Sequence, residues 1–177
     1  MAIPVTLSSA KRQLRMEAGD ASRDAEVQGF IDDAAAWVER YTGHILVARD
    51  VTEQFHGFGS VSLRAWPIAA TAVPGVGYTD TTGAPVTIVG ARLDVSRRPA
   101  RILPPVGAFY PFRDTRQLFT VTIRAGYEPG DAVPGNLRRA MLTLISAYEA
   151  DRAGGELFQA AEKAARTLCR DYRARAL

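Results

Sequence analysis

Residues 118–152 read LFTVTIRAGYEPGDAVPGNLRRAMLTLISAYEADR, and the hydrophobic period changes inside this stretch. From Leu118 to Arg124 apolar and polar side chains alternate, with Phe119, Val121 and Ile123 set against Thr120, Thr122 and Arg124. A period of two places the first three on one face of a β-strand. The alternation stops at Ala125-Gly126-Tyr127, and a Pro/Gly-rich turn follows. Beyond it Leu137, Met141, Leu144, Ile145 and Tyr148 recur at three- and four-residue steps, the stripe of an amphipathic helix running from about Pro134 to Arg152. Each large apolar side chain buried contributes about 1.5–3 kcal/mol, so this helix is expected in the core. Strand, turn and helix read as one unit onto which the remaining elements pack.

Upstream, Thr6 or Ser8 is placed to cap a short helix with Leu7, Ala10 and Leu14 on its apolar edge and Lys11, Arg12 and Arg15 outward. A stronger helix spans Ser22 to Tyr41, in which Val27, Phe30, Ile31, Ala34, Trp37, Val38 and Tyr41 keep helical spacing. Asp24 and Glu26 suit its N-terminus and Gly43 its C-terminus. Gly29 in its interior costs about 1 kcal/mol relative to alanine, a cost that a close helix contact would explain.

Between Ile45 and Ile123 short runs rich in Val, Ile, Thr and aromatics (45–55, 60–66, 86–89, 101–103, 118–124) alternate with Gly57-Phe58-Gly59, Pro74-Gly75 and Asp80-Thr81-Thr82-Gly83. Turn residues at such intervals predict antiparallel hairpins. Four prolines between Arg97 and Arg116 argue for a long loop there. A last helix is expected from Glu156 to Arg175. The fold class is α+β: about four helices, a central antiparallel β-rich segment and a Pro/Arg-rich loop. The expected organisation is a single domain over 1–177, helical in 1–43, β-rich in 44–125, and helical again in 126–177 with a basic C-terminal helix.

The composition is that of a globular chain, with 47% hydrophobic and 23% charged residues, which excludes disordered and collagen-like classes. No run reaches the roughly 18 apolar residues of a membrane span, and no secretory signal pattern opens the chain, so a soluble protein made in the cytoplasm is expected. The one cysteine, Cys169, excludes an intramolecular disulfide. From Leu157 to Leu177 five basic residues face two acidic ones, a surplus equal to the net charge of +3 of the whole chain. Charge asymmetry of this kind marks either a solvated helix face or a partner surface.

The residue types that carry catalysis are not assembled into a recognisable pattern. His44 and His56 lie beside glycines, read as exposed turn or strand residues, and lack a ligand partner at zinc spacing. The glycine pairs at 57/59 and 75/77 lack the third glycine and the strand-to-helix setting of a dinucleotide loop. Asp32 and Asp33 point about 100° apart on a helix and read as solvated. Cys169 between Arg166 and Arg170 reads as a small semi-buried residue, although neighbouring positive charge lowers a thiol pKa. No catalytic, cofactor or metal residue is assigned, and no cofactor is expected.

Two surface features stand out. Arg97, Arg98, Arg101, Arg113 and Arg116 are interleaved with Phe109, Tyr110 and Phe112, a mixture that suits a protein interface, local packing or single-stranded nucleic acid. The other is the basic last helix with Lys163, Arg166, Arg170 and Arg173.

Three collinear segments carry a family resemblance: Thr6 to Arg15; Asp24 to Gly43, with Ile31, Ala34, Ala35, Trp37, Val38 and Glu39-Arg40-Tyr41-Thr42-Gly43; and Ala125-Gly126-Tyr127, Val133-Pro134, Ala140, Leu144, Tyr148 and Arg152. The sequence resembles the head-to-tail connector (adaptor) proteins of long-tailed phages, a family found also in prophages and gene transfer agents. The Arg97–Arg116 loop has no counterpart in that pattern. The resemblance implies a structural protein without catalytic residues, assembled as a homo-oligomeric ring, commonly of twelve copies, between the portal protein and a stopper or tail-terminator protein. DNA would pass through the lumen without specific binding and no membrane would be involved. The location implied is the head–tail junction of a virion or phage-like particle, after synthesis in the host cytoplasm. Lys163, Arg166, Arg170 and Arg173 become candidate portal contacts. The alternative from another class is a nucleic-acid-binding module using the Arg/aromatic loop 97–116.

Overall fold

The structure, a computed structural model, describes residues 4–56, 61–80, 82–110, 118–128 and 133–174. The chain forms two compact units, Met1–Val47 with Tyr127–Leu177, and Ala48–Gly126. The stretch 118–152 therefore contributes its strand to one unit and its helix to the other, a correction to the reading of both as one packed element. The change falls at Gly126, whose φ of 114° is open to glycine and whose N–H donates to the Pro67 carbonyl at 2.8 Å.

The first unit is helical: α1 (Leu7–Gln13), α2 (Asp24–Thr42), α3 (Gly135–Ala150) and α4 (Glu156–Cys169), the last continued by a 3₁₀ turn at Arg170–Tyr172. Thr6, of the two candidates, caps α1 by accepting from the Ser9 N–H at 3.2 Å. Gly43 ends α2 in the left-handed region with φ 68°, its N–H donating to the Glu39 carbonyl at 2.8 Å. The α3 stripe lies in the core as its spacing predicts, with Leu137, Met141, Leu144 and Ile145 fully buried and Tyr148 at its margin. They pack with Val27, Ile31, Ala34 and Val38 of α2 and with Ala165 and Cys169 of α4. Between α3 and α4, the Asp151 carboxylate accepts from the Phe158 N–H at 3.2 Å and so serves the open first turn of α4, which has no capping side chain of its own. A Cβ on Gly155 would lie 3.0 Å from that carboxylate, which accounts for glycine there.

Two expectations for this unit are overturned. Lys11 is buried instead of outward: its ammonium pairs with Asp24 and donates to the Asp20 carbonyl at 2.8 Å, so the chain entering α2 supplies the partners that make its burial tolerable. Gly29 meets no close helix, since a Cβ there has open space.

The second unit is β-rich, with β1 (Arg49–His56), β2 (Val61–Leu63), β3 (Gly75–Thr79), β4 (Pro85–Ile88), β5 (Arg92–Asp94), β6 (Ala100–Leu103) and β7 (Leu118–Ala125). They form two antiparallel sheets ordered β1-β7-β3-β4 and β2-β6-β5. Phe119, Val121 and Ile123 are buried while Thr122 and Arg124 are exposed, as the alternation predicts. The register sets Phe119 opposite Phe55, with ring centroids 5.5 Å apart. Glu53 of β1 accepts from the Arg64 and Ala65 N–H groups at 3.0 and 2.8 Å, tying the exit of β2 to β1.

Two further corrections concern strands. Gly75-Val76-Gly77 lies in β3, paired on both sides, where Pro74-Gly75 reads as a turn. Arg101 lies in β6, the middle strand of its sheet, as the run 101–103 predicts and against the overlapping loop reading of 97–116, because Pro99 and Pro104 flank four proline-free residues. Gly57-Phe58-Gly59 and Pro111 lie outside the described residues.

Candidate functional site

Helix α4 buries one side: Ala165 and Cys169 are buried, Leu168 is half-buried, and Phe158 stacks on Tyr148 at 5.5 Å, while Leu157 remains exposed. The opposite side bears Lys163, Arg166 and Arg170, exposed and spaced three and four residues apart, hence on one face. Arg173, also exposed, follows the 3₁₀ turn. The four candidate basic residues thus run along the exposed side of α4 and onto the turn that follows it.

Part of this face is shared with α2. Trp37 and Tyr41, one turn apart, stack with centroids 5.2 Å apart and planes 13° from parallel. The Arg166 guanidinium sits 5.9 Å from the Trp37 ring centroid and 5.6 Å from that of Tyr41, and Arg173 sits 5.5 Å from Tyr41. Glu162 accepts from the Trp37 indole Nε1 at 3.1 Å and from Arg166 Nη2 at 2.8 Å. Those two donors, Arg166 first, hold the Glu162 carboxyl below its ordinary pKa. Trp37, Arg40, Tyr41, Glu162, Arg166 and Arg173 line a surface recess of about 250 Å³. Sequence reasoning missed Arg40 and Glu162 and assigned Trp37 and Tyr41 wholly to the core. The available signal was an aromatic pair at i, i+4 enclosing an arginine at the end of α2.

The Arg/aromatic segment divides differently. Arg98 packs over the Trp66 ring at 5.9 Å, Arg101 is half-buried in β6, and Arg97 is exposed. Phe109 is 93% exposed, and burial pushes the half-buried Tyr110 hydroxyl above its usual pKa. Phe112, Arg113 and Arg116 lie outside the described residues. Val89 and Val106 are also exposed, and Pro105 lies against Gly90, so the β4–β5 turn and the chain beyond β6 meet at an apolar tip.

His44 is buried instead of exposed. It lies 2.9 Å from the Tyr127 hydroxyl through Nδ1 and meets the Tyr172 ring edge-on at 5.7 Å, joining the ends of α2 and of the C-terminal turn. His56 is exposed at the end of β1. Cys169 is fully buried, and desolvation pushes its thiol up to about 11, opposite to the activation that flanking arginines suggest. Among the described residues no group of three or more His, Cys, Asp or Glu is placed to hold a metal, and no helix is long and apolar enough to cross a membrane.

No protein-family model matches the chain, and no curated protein matches it either. Solved structures do. A chain of the virion of a native gene transfer agent particle is 22% identical with a TM-score of 0.74, over 98% of this chain and 92% of that one. A chain from the neck of an empty gene transfer agent particle, computed with C6 symmetry, is 24% identical with a TM-score of 0.72 over 100% and 95%. One from the neck of the native particle, computed with C12 symmetry, is 23% identical with a TM-score of 0.71 over 100% and 94%. The chain has the fold of these particle and neck components over nearly its whole length.

Proposed function

We propose that this protein is a structural, non-catalytic component of a virion neck: a head-to-tail connector that assembles as a ring at the head–tail junction of a phage-like particle. The observation that carries this reading is the fold shared end to end with chains of gene transfer agent necks computed with C6 and C12 symmetry. A closed ring needs a heterologous interface, two different complementary patches on each copy. The apolar tip at Val89, Val106 and Phe109 suits such contact between neighbouring copies. The basic face of Lys163 and Arg170 suits the portal, and the stopper or tail-terminator protein lies on the ring's other side. DNA passes through the lumen without specific binding, because many copies each neutralising one phosphate would hold it in a strong, salt-dependent grip.

Cryo-electron microscopy of the assembled particle is the direct test: density for this chain as a ring at the portal is expected, and a position elsewhere overturns the reading. Lys163→Glu with Arg170→Glu, both exposed, is expected to weaken portal binding while leaving the fold intact. Steep salt-dependent DNA binding by the free chain, lost on substituting Arg97 and Arg98, would instead establish the nucleic-acid module.

A further inference from the structure

We propose that the recess between α2 and α4 is a carboxylate-binding site that receives an aspartate or glutamate side chain from an acidic segment of a partner protein. The proposal rests on the basic face of α4 being a docking face and names the chemistry it recognises there.

Three guanidiniums, those of Arg40, Arg166 and Arg173, line the recess against one carboxylate, Glu162. That carboxylate already accepts from Arg166 and Trp37, so its acceptor capacity is largely used. Arg40 and Arg173 make no ion pair within 4.0 Å among the described residues, although Arg40 lies near enough to Glu162 for its charge to help lower that carboxyl's pKa. The Arg173 guanidinium stands 5.5 Å from the Tyr41 ring centroid, within cation–π range, at the edge of the recess. Pre-positioned guanidiniums of this kind bind carboxylates through short, charge-assisted pairs. The volume, about 250 Å³, falls below the roughly 300–1,000 Å³ typical of pockets for whole small molecules and suits a single side chain.

The same geometry disfavours nucleic acid. Single strands bind by stacking bases on open aromatic faces, whereas Trp37 and Tyr41 stack on each other under two arginines.

The test uses the full chain and calorimetry with three probes: a hexaglutamate peptide, a hexaglutamine peptide and a twelve-nucleotide oligothymidylate. Hexaglutamate is expected to bind and hexaglutamine not. Arg40→Gln and Arg173→Gln are each expected to weaken hexaglutamate about tenfold, the loss of one charge-assisted hydrogen bond. Arg139→Gln, an exposed charge on α3 away from the recess, is expected to leave binding unchanged. All three positions are exposed, so the variants should fold, and circular dichroism checks that they do. Equal binding of the two peptides overturns the site, as does a loss in Arg139→Gln matching that in Arg40→Gln. Oligothymidylate binding lost in the Arg40 and Arg173 variants, without hexaglutamate binding, assigns the recess to nucleic acid and overturns it too. Particle imaging separates the two readings: absence from the neck overturns the connector, while loss of peptide discrimination with the ring in place overturns only the recess.

Discussion

The helical and β-rich units solve opposite problems with their side chains. The helical unit gathers charge: Arg23 bridges Glu149 at 2.6 Å and Glu26 at 2.7 Å, Arg152 reaches Glu26 at 2.7 Å, Lys11 pairs with Asp24, and Arg166 pairs with Glu162. In the β-rich unit Arg124 stands 3.8 Å from Asp50 with both largely exposed, while Val73, Val89, Val106 and Phe109 are each more than 80% exposed. Among the described residues the shortest ion pairs lie in the helical unit and the four most exposed large apolar side chains in the β-rich one. In the ring proposed above, that contrast would separate a face suited to selective polar recognition from one suited to permanent burial against a neighbour.

Core truncation should break the two units differently, and by the largest amount. Leu144→Ala in α3 is expected to cost about 2–5 kcal/mol and Phe119→Ala in β7 about 3–5 kcal/mol, since both side chains are essentially inaccessible to solvent. Urea unfolding measures the loss and hydrogen exchange locates it. Exchange should rise most within 135–150 for the first variant and within 118–125 for the second. A uniform rise across both units in either variant would remove the distinction.

These two elements are also the ones most legible in the sequence, for the same reason. β7 and α3 each bury one face, so their periods were written by burial itself. β3 was hidden because Gly75 and Gly77 leave few side chains to alternate, and the pairing that makes it a strand comes from β4 and β7. Lys11 looked outward because its partners arrive from the loop ahead of α2 and from that helix's first residue. The recess was invisible because of distance along the chain: Trp37 and Glu162 are 125 residues apart, and no local spacing reports a bond between them. The basic face of α4 was legible because its charges lie on one helix; the aromatic shelf beneath it belongs to another.

A smaller effect sharpens the picture of α2. Gly29 is exposed in the helix interior with open space around its missing Cβ, so nothing in the packing opposes a methyl group. Gly29→Ala should stabilise the helical unit by about 0.5–1 kcal/mol through reduced backbone entropy of the unfolded chain. Thermal unfolding reads the gain. A destabilised variant would mean that the space around Gly29 does not accept a methyl group.

The smallest expected effect tests whether the charges gathered by the helical unit contribute to its stability or only to its surface. Hydrogen bonding from Arg23, foremost, holds the Glu149 carboxyl below its ordinary value of 4.5. A folded-state pKa lowered in this way adds stability that is present above the unfolded pKa and is lost as pH falls through the folded one. Glu149→Gln should therefore cost on the order of 0.5–1 kcal/mol at pH 7, in the range of partly exposed ion pairs. The gap to the unsubstituted chain should narrow steadily as pH falls below about 4.5, because protonation then removes from Glu149 the charge that glutamine already lacks. Raising salt at pH 7 should shrink the gap as well. A gap independent of pH and salt would mean that Glu149 acts through packing alone, and the charge network would then be a feature of the surface with no share in holding α2 to α3.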